Sequence, residues 1–448
     1  MTTRTVIRRK PEAKPAQAAE LALGEGEIRS ISEGLQEPAW MIDRRLDAWH
    51  GYQSLPMPTL ADEAWRRTDL RGLPIGQVQR RPADEAEIPS DLLQPLVAET
   101  HGALLLLRPG QPAERVDGAT PRDQGVVFLE WAAAARQHAD LIRASLGTLV
   151  ADREGKFSAL AASMASDGVV LIVPPGVQVR TPLHSILWAP GGHALFASRL
   201  LVVVGEGASV TYVHETASPT ESDGSAIHAG IVELAVGDGA QLRFVELQNW
   251  GGHVWNFTHE KARVGRDGNL EWIFGAVGSR LTKNFSRIDL VGEGAQGRMS
   301  GFYFTDGVQH LDHDTQQNHL APHTTSDLLY KGALLGQSRS VWRGMIYVAP
   351  GAQKTDGYQA NRNIVLSRQA RADSIPGLEI LADDVRCTHG ATVGQLEEEP
   401  VFYLMSRGLP RHEAERLVVD GFFDPIMQRI PFEGVRDRFK RMISAKMR

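Results

Sequence analysis

One cysteine, Cys387, stands in 448 residues. No disulfide can close within such a chain, and no all-protein CxxC zinc or ferredoxin-type set can form. That fits a reducing compartment, and a cytoplasmic protein is expected. Long apolar runs are missing too, since none approaches the roughly 20 residues that span a bilayer. Residues 1–15 are basic through Arg4, Arg8, Arg9 and Lys10. They lack the apolar h-region of a secretory signal and read as a solvated, disordered tail, an Arg-rich transit peptide being the lesser alternative. Charge of one sign is also scarce, with 48 basic residues against 54 acidic and a net charge of -6. The chain therefore has no electrostatic footprint for nucleic acid or for an anionic membrane. The P-loop pattern GxxxxGK followed by Ser or Thr is absent, so any ATP used is hydrolysed by a partner. No GxSxG elbow supports hydrolase chemistry.

What is present is ordinary globular composition, 42% hydrophobic and 23% charged, which excludes a disordered chain or a coiled coil. The length implies two or three domains with a large core. Residues 16–73 carry helical spacing through Leu35, Trp40, Ile42, Leu46 and Trp49, until Pro56 and Pro58 break it. Residues 98–150 are mixed, with strand-like runs at 103–107 and 125–129 and a helix expected over 131–147. The N-terminal region, 16–167, thus reads as helical to mixed.

From about residue 168 short β-rich runs alternate with glycine-centred turns. Four of these turns are nearly alike and begin at Gly205, Gly237, Gly265 and Gly292. A fifth, Pro350-Gly351-Ala352, follows about two periods later, and such self-similarity marks stacked rungs. The runs 169–173, 200–204 and 231–236 would supply the shared core, because no rung can bury its own apolar face. Residues 168–395 are read as a β-helix; a propeller would need a blade signature that is not there. Gly292 to Gly297 fits GxGxxG, but a β-like segment follows instead of a helix, so it reads as one more turn. Residues 396–448 return to helix, with Gly408 as a C′ glycine and a new helix after Pro410. Ala414, Leu417, Val418 and Phe422, then Val435, Phe439, Met442 and Ile443, recur at helical spacing and need something to pack against.

Two histidine constellations carry possible chemistry. Cys387 and His389 lie two apart in a strand-like stretch, so thiol and imidazole project to the same face. A soft sulfur beside a nitrogen donor suits iron, zinc or copper(I), and an adjacent imidazolium can make a thiol nucleophilic. The plainer alternative is a free cysteine packed as a small hydrophobe. Two ligands alone close no site. The second constellation is His310, His313, His319 and His323 with Asp312 and Asp314. HxxH on a strand splits its members between faces, so polar stacking or hydrogen bonding is favoured over a metal site. Gln316, Gln317, Gln359, Asn361 and Asn363 read as structural amides in or beside the solenoid.

The string Cys387-Thr388-His389-Gly390-Ala391-Thr392-Val393-Gly394 is followed by Phe402-Tyr403-Leu404-Met405-Ser406-Arg407-Gly408. With Ser374 to Ile380 upstream and Glu37-Pro38-Ala39-Trp40 near the start, the chain resembles, over most of its length, the SufD family of scaffold subunits in the SUF system for iron–sulfur cluster assembly. That resemblance implies a mainly β protein, a right-handed parallel β-helix flanked by N- and C-terminal helical regions. It implies a heterodimer through the β-helix with the paralogue SufB. It also implies docking of the ABC-type ATPase SufC on the C-terminal helices, with Phe402, Tyr403, Arg407, Leu417, Phe422 and Phe423 as candidate contacts. His389 is implied as a cluster-assembly residue at the SufB interface, with Cys387 its neighbour. No catalytic residue and no stably bound cofactor are implied: iron or a nascent cluster would be held transiently, shared with the partner chain. A cluster usually takes four ligands, so one thiolate and one imidazole require a second chain. SufB itself fits less well, since that paralogue is expected to carry its own sulfur-handling cysteines. Stoichiometry, cluster type, sulfur donor and the presence of a reduced flavin in the complex stay open. Two alternatives remain: a carbohydrate-active β-helix enzyme, for which no convincing carboxylate pair stands at rung spacing, and a purely structural adaptor.

Overall fold

The valine- and leucine-rich runs lie side by side. Val169 pairs with Leu200 and Leu200 with Val232, all parallel. β-Branched residues fit a pleated surface, and these runs are continuously apolar because both of their faces are covered. The computed structural model describes residues 21–80, 87–94, 102–117, 122–189, 191–430 and 432–447. Among these the chain winds through two parallel sheets, giving one strand to each per turn. The first sheet runs from Asp167–Val173 through Ala194–Val204, Ala226–Val236, Val254–Val264, Leu281–Leu290, His310–His319 and Arg339–Val348 to Arg371–Ile380. The second runs from Leu183–Trp188 through Ser209–Ala217, Gln241–Asn249, Asn269–Ala276, Gln296–Thr305, Thr325–Leu334 and Asp356–Val365 to Arg386–Gln395. The result is a β-solenoid of eight turns. The GxGxxG segment is one of its turns, followed by the Gln296–Thr305 strand.

The glycine turns form one stacked column, but glycine is not its rule. Each turn places one residue in the left-handed region, at Gly207, Gly239, Asp267, Gly294, His323 and Lys354. The N–H of each donates to a carbonyl of the turn above: Gly207 to Asp238, Gly239 to Arg266, Asp267 to Glu293, Gly294 to Pro322, His323 to Gln353 and Lys354 to Asp384. Three of the six are not glycine, and they bear the modest strain of that conformation because the column fixes them.

The two ends of the solenoid differ. At the first end the N-terminal region contributes strands of its own. Ala103–Leu107 extends the second sheet in parallel, with Glu114–Asp117 antiparallel beyond it, and Val127–Glu130 closes the first sheet antiparallel to Asp167–Val173. The helix expected over 131–147 is two, Trp131–Gln137 and Ala139–Ser145, broken at His138. Helix Lys156–Met164 lies between the first sheet and helix Ala39–Ser54, with Phe157 stacked on Phe257 at 3.7 Å. Just before that second helix, the buried Glu37 accepts bonds from Arg45 Nε (2.7 Å) and Nη2 (2.6 Å), Ser32 (2.8 Å) and Trp131 (3.0 Å). Burial alone would push its carboxyl up, yet Arg45 and these donors hold it below its ordinary value. Glu37, the first residue of the Glu37 to Trp40 string, is thus a polar anchor.

On the outer face of the second sheet lie helices Arg411–Met427 and Glu433–Lys446. Phe439 meets Phe302 edge-on at 3.8 Å. It can do so because Gly275 has no side chain there: a Cβ on it would fall 2.3 Å from the Phe439 ring. The far end has no such cover. Among the described residues no strand follows Arg371–Ile380 in the first sheet or Arg386–Gln395 in the second.

Candidate functional site

Cys387 and His389 lie on that last strand. Cys387 is in register with Gly357 and His389 with Gln359, and those in turn with Ser326 and Leu328. Leu328 belongs to the solenoid core, so strand alternation turns Cys387 and His389 toward the lumen. Below them the lumen is lined by the buried side chains of the lower rungs, Leu328 and Trp342 among them. Above them nothing stacks among the described residues, and in the chain alone Cys387 is half-buried and His389 exposed.

Cys387 packs with Ile346, Leu378 and Val385. Burial pushes its thiol up from the ordinary value, and the neighbouring Asp356 carboxylate adds to this, against a hydrogen bond from the Gly357 backbone. An imidazolium-activated nucleophile is therefore not what the geometry builds; the thiol is a protonated donor until a cation displaces its proton. Among the described residues no three His, Cys, Asp or Glu side chains converge on one point, so the pair has donors to give and no complete set.

A third residue, His319 of the second histidine constellation, lies near this place and is hydrogen-bonded as expected for that group. His319 is fully buried, hydrogen-bonded to Thr324 Oγ1 (2.8 Å) and Ser326 Oγ (2.9 Å), and burial pushes its pKa down to about 4. It approaches Cys387 across Gly357: a Cβ on that glycine would lie 3.2 Å from Cys387 Sγ and 3.4 Å from His319 Nε2. The other members of its constellation disperse. His310 bonds Thr68 (3.0 Å) and Asp312 pairs with Lys283 (2.8 Å), both under the N-terminal region. His313 faces the lumen among Phe274, Tyr303 and Tyr330, and His323 is a turn residue. Of the amides, Gln316 bonds Asn318 (2.9 Å), Asn363 bonds Asn361 (2.6 Å), Asn361 bonds Tyr303 (3.3 Å) and Gln359 bonds the Gly377 carbonyl (2.8 Å).

The strand carrying Cys387 and His389 ends at Gln395, and helix Glu398–Ser406 begins three residues on. That helix presents Phe402 (71% exposed) and Tyr403 (56%), with Arg407 over the Tyr403 ring at 5.3 Å, and Leu417 of the next helix is also exposed. Phe423 differs from the other candidate contacts. It is 1% exposed and meets Phe302 edge-on, so it holds its helix to the sheet, and Phe422 is half-buried beside Lys331.

Residues 187–422 match the family model described as SUF system FeS cluster assembly, SufBD core domain, and residues 29–184 match the SufBD protein N-terminal region. The chain belongs to the SufBD family. Its SufBD relatives include the iron-sulfur cluster assembly protein SufD of Bacillus subtilis, 30% identical over 96% of this chain and 99% of that protein. SufB of the same organism is 29% identical over 91% of this chain and 89% of that protein. A SufBD family protein of Staphylococcus saprophyticus is 29% identical over 93% and 91%. This SufBD protein is thus an iron–sulfur cluster assembly protein. No helix among its described residues is long and apolar enough to cross a membrane.

Proposed function

We propose that this SufBD protein is the SufD-type scaffold subunit, pairing through the open end of its solenoid with a SufB-type chain and receiving a SufC-type ATPase on its C-terminal helices. One observation carries the reading: thiol and imidazole face the lumen on the last, uncovered rung, where a second solenoid would have to stack. Both edge strands there offer unpaired backbone groups that another chain can take up. Cys387 and His389 then supply two donors to iron or a nascent cluster, the cargo of the assembly, and the partner supplies the others. The assignment to the SufD side is supported by the single cysteine and by the match running over nearly all of the Bacillus SufD.

The mechanism follows from chain order. Helix Glu398–Ser406, with its exposed Phe402 and Tyr403, continues the strand that bears Cys387 and His389 after a two-residue link. An ATPase that closes on ATP while gripping this helix pulls directly on that strand. The seam loosens, and the donor pair opens to iron and sulfide. This chain contributes ligands and leverage without turnover of its own.

The test is His389→Ala in the full assembly. The three-subunit complex forms and co-purifies as before, and cluster maturation is lost. If maturation continues at the parental rate, the chain is only a structural adaptor; if it never co-purifies with an ATPase, the SufD-type reading falls.

A further inference from the structure

The lumen below the open end contains polar atoms without partners. His313 Nδ1 and Nε2, Trp342 Nε1 and Gln359 Oε1 find no hydrogen-bond partner among the described residues, yet all three side chains are fully buried. An unpaired buried polar atom loses its water without replacement, so isolated orphans are uncommon and a cluster of them marks a place where small polar molecules bridge.

These orphans are also contiguous. Gln359 stands one rung below His389. A Cβ on Gly344 would touch both the Trp342 ring (2.2 Å) and Gln359 Oε1 (2.5 Å), so those two side chains adjoin. Trp342 is in register with His313, and His313 with Asn284. Asn284 donates to Glu260 Oε1 at 2.6 Å, and Ser286 to Glu260 Oε2 at 2.9 Å. Glu246 is buried near Glu260, whose charge adds to burial in raising its carboxyl, and Trp272 Nε1 donates to Glu246 Oε2 at 3.4 Å. Burial favours the protonated form of both carboxyls. Register neighbours along the column stand one strand spacing apart, about 4.8 Å from backbone to backbone, and a bridging water would supply the orphaned atoms with the partners they lack.

We propose that Gln359, Trp342, His313 and Asn284 line a hydrated proton path through the lumen, joining the buried Glu246–Glu260 pair to solvent at the open end of the solenoid. This goes beyond the scaffold reading and does not depend on it. Where that reading holds, the path leaves the particle a proton store behind a seam that a partner closes. The path needs no oxidant or co-reactant: the proton passes between bridging waters and the His313 imidazole, each restored by the next transfer, while Gln359, Trp342 and Asn284 hold the waters in line by hydrogen bonds without taking the proton.

The experiment follows the buried carboxylic acid by its infrared carbonyl stretch after transfer of the purified full-length chain from H2O to D2O. The band is assigned by its change in Glu246→Gln. In the parent chain it shifts within seconds, far faster than the amides of the same rungs exchange. In Gln359→Leu, and independently in His313→Phe should the first variant fold poorly, the shift is slowed at least ~10-fold, toward the rate of local opening. Equal exchange in parent and variants overturns the path, and so does a parent band that moves only with the amides.

Discussion

Gly357 and Cys387 are register partners on the last two rungs, and the glycine's missing side chain makes room for the thiol, since a Cβ there would fall 3.2 Å from Sγ and 3.3 Å from Ile346 Cγ2. Alanine at 357 forces three packed neighbours to give way, which costs about 1–3 kcal/mol by overpacking. Gly357→Ala is expected to lower the urea midpoint modestly and to turn Cys387 outward. A faster reaction with a thiol-specific disulfide reagent reports the second effect; an unchanged rate contradicts it.

Burial, followed by Asp356, pushes the Cys387 thiol up. Alkylation by iodoacetamide, followed by mass spectrometry, should rise with pH to a midpoint above the ordinary cysteine value of about 8.5. A midpoint below it would restore the activated-nucleophile reading.

Acid should unfold the chain early. Burial pushes His214 and His259 down to about 3, and His228, His313 and His319 down to about 4. Between the ordinary histidine value of about 6.5 and these folded values the unfolded chain binds protons that the folded chain refuses, so stability falls with pH across that window. Buried carboxyls act the other way: Asp167 is pushed up to about 6, and Glu246 and Glu260 are raised. They stabilise the fold at low pH, and that stability is lost as pH rises through their folded values. With His310 also lowered and Asp314 and Asp420 also raised, six imidazoles stand against five carboxyls, and the imidazoles set the net direction. The urea midpoint should drop from about pH 6.5 toward pH 4, with a shallower slope in His228→Asn; a flat profile would mean that these rings are solvated.

Phe423 and Phe402 should separate packing from docking. Phe423→Ala removes a ring buried on Phe302 and costs about 3–5 kcal/mol, seen as a lower melting temperature. Phe402→Ala, at an exposed position, should change stability by no more than about 0.5 kcal/mol while weakening retention of the proposed ATPase partner in pull-down. The opposite pattern would exchange the two roles.

Much of this was legible in the chain. The runs 169–173, 200–204 and 231–236 gave the core of successive rungs because β-branched, unalternated stretches have few other homes. The spacing of Cys387 and His389 placed them on one face for the same geometric reason. Other features depend on what closes in space. His319 approaches Cys387 because two successive stacked rungs bring residues 68 positions apart together, and no local pattern records that. His323 and Lys354 occupy left-handed turn positions without the glycine that would signal them, since the stacked column imposes the conformation. Ala103–Leu107 was readable as a strand, but its partner Leu183–Trp188 lies far along the chain. Phe402 and Phe423 look alike in sequence, and only the sheet beneath the second decides which is inside.

The uncovered final turn also bears on the life of the isolated molecule. A ribbon end with raw amide and carbonyl groups on two sheets templates whatever extended chain it meets, and copies of itself are the nearest supply. In the proposed pairing, synthesis out of step with the partner chain should therefore yield end-to-end dimers or precipitate, which would make balanced production of the two chains a matter of solubility as much as of activity.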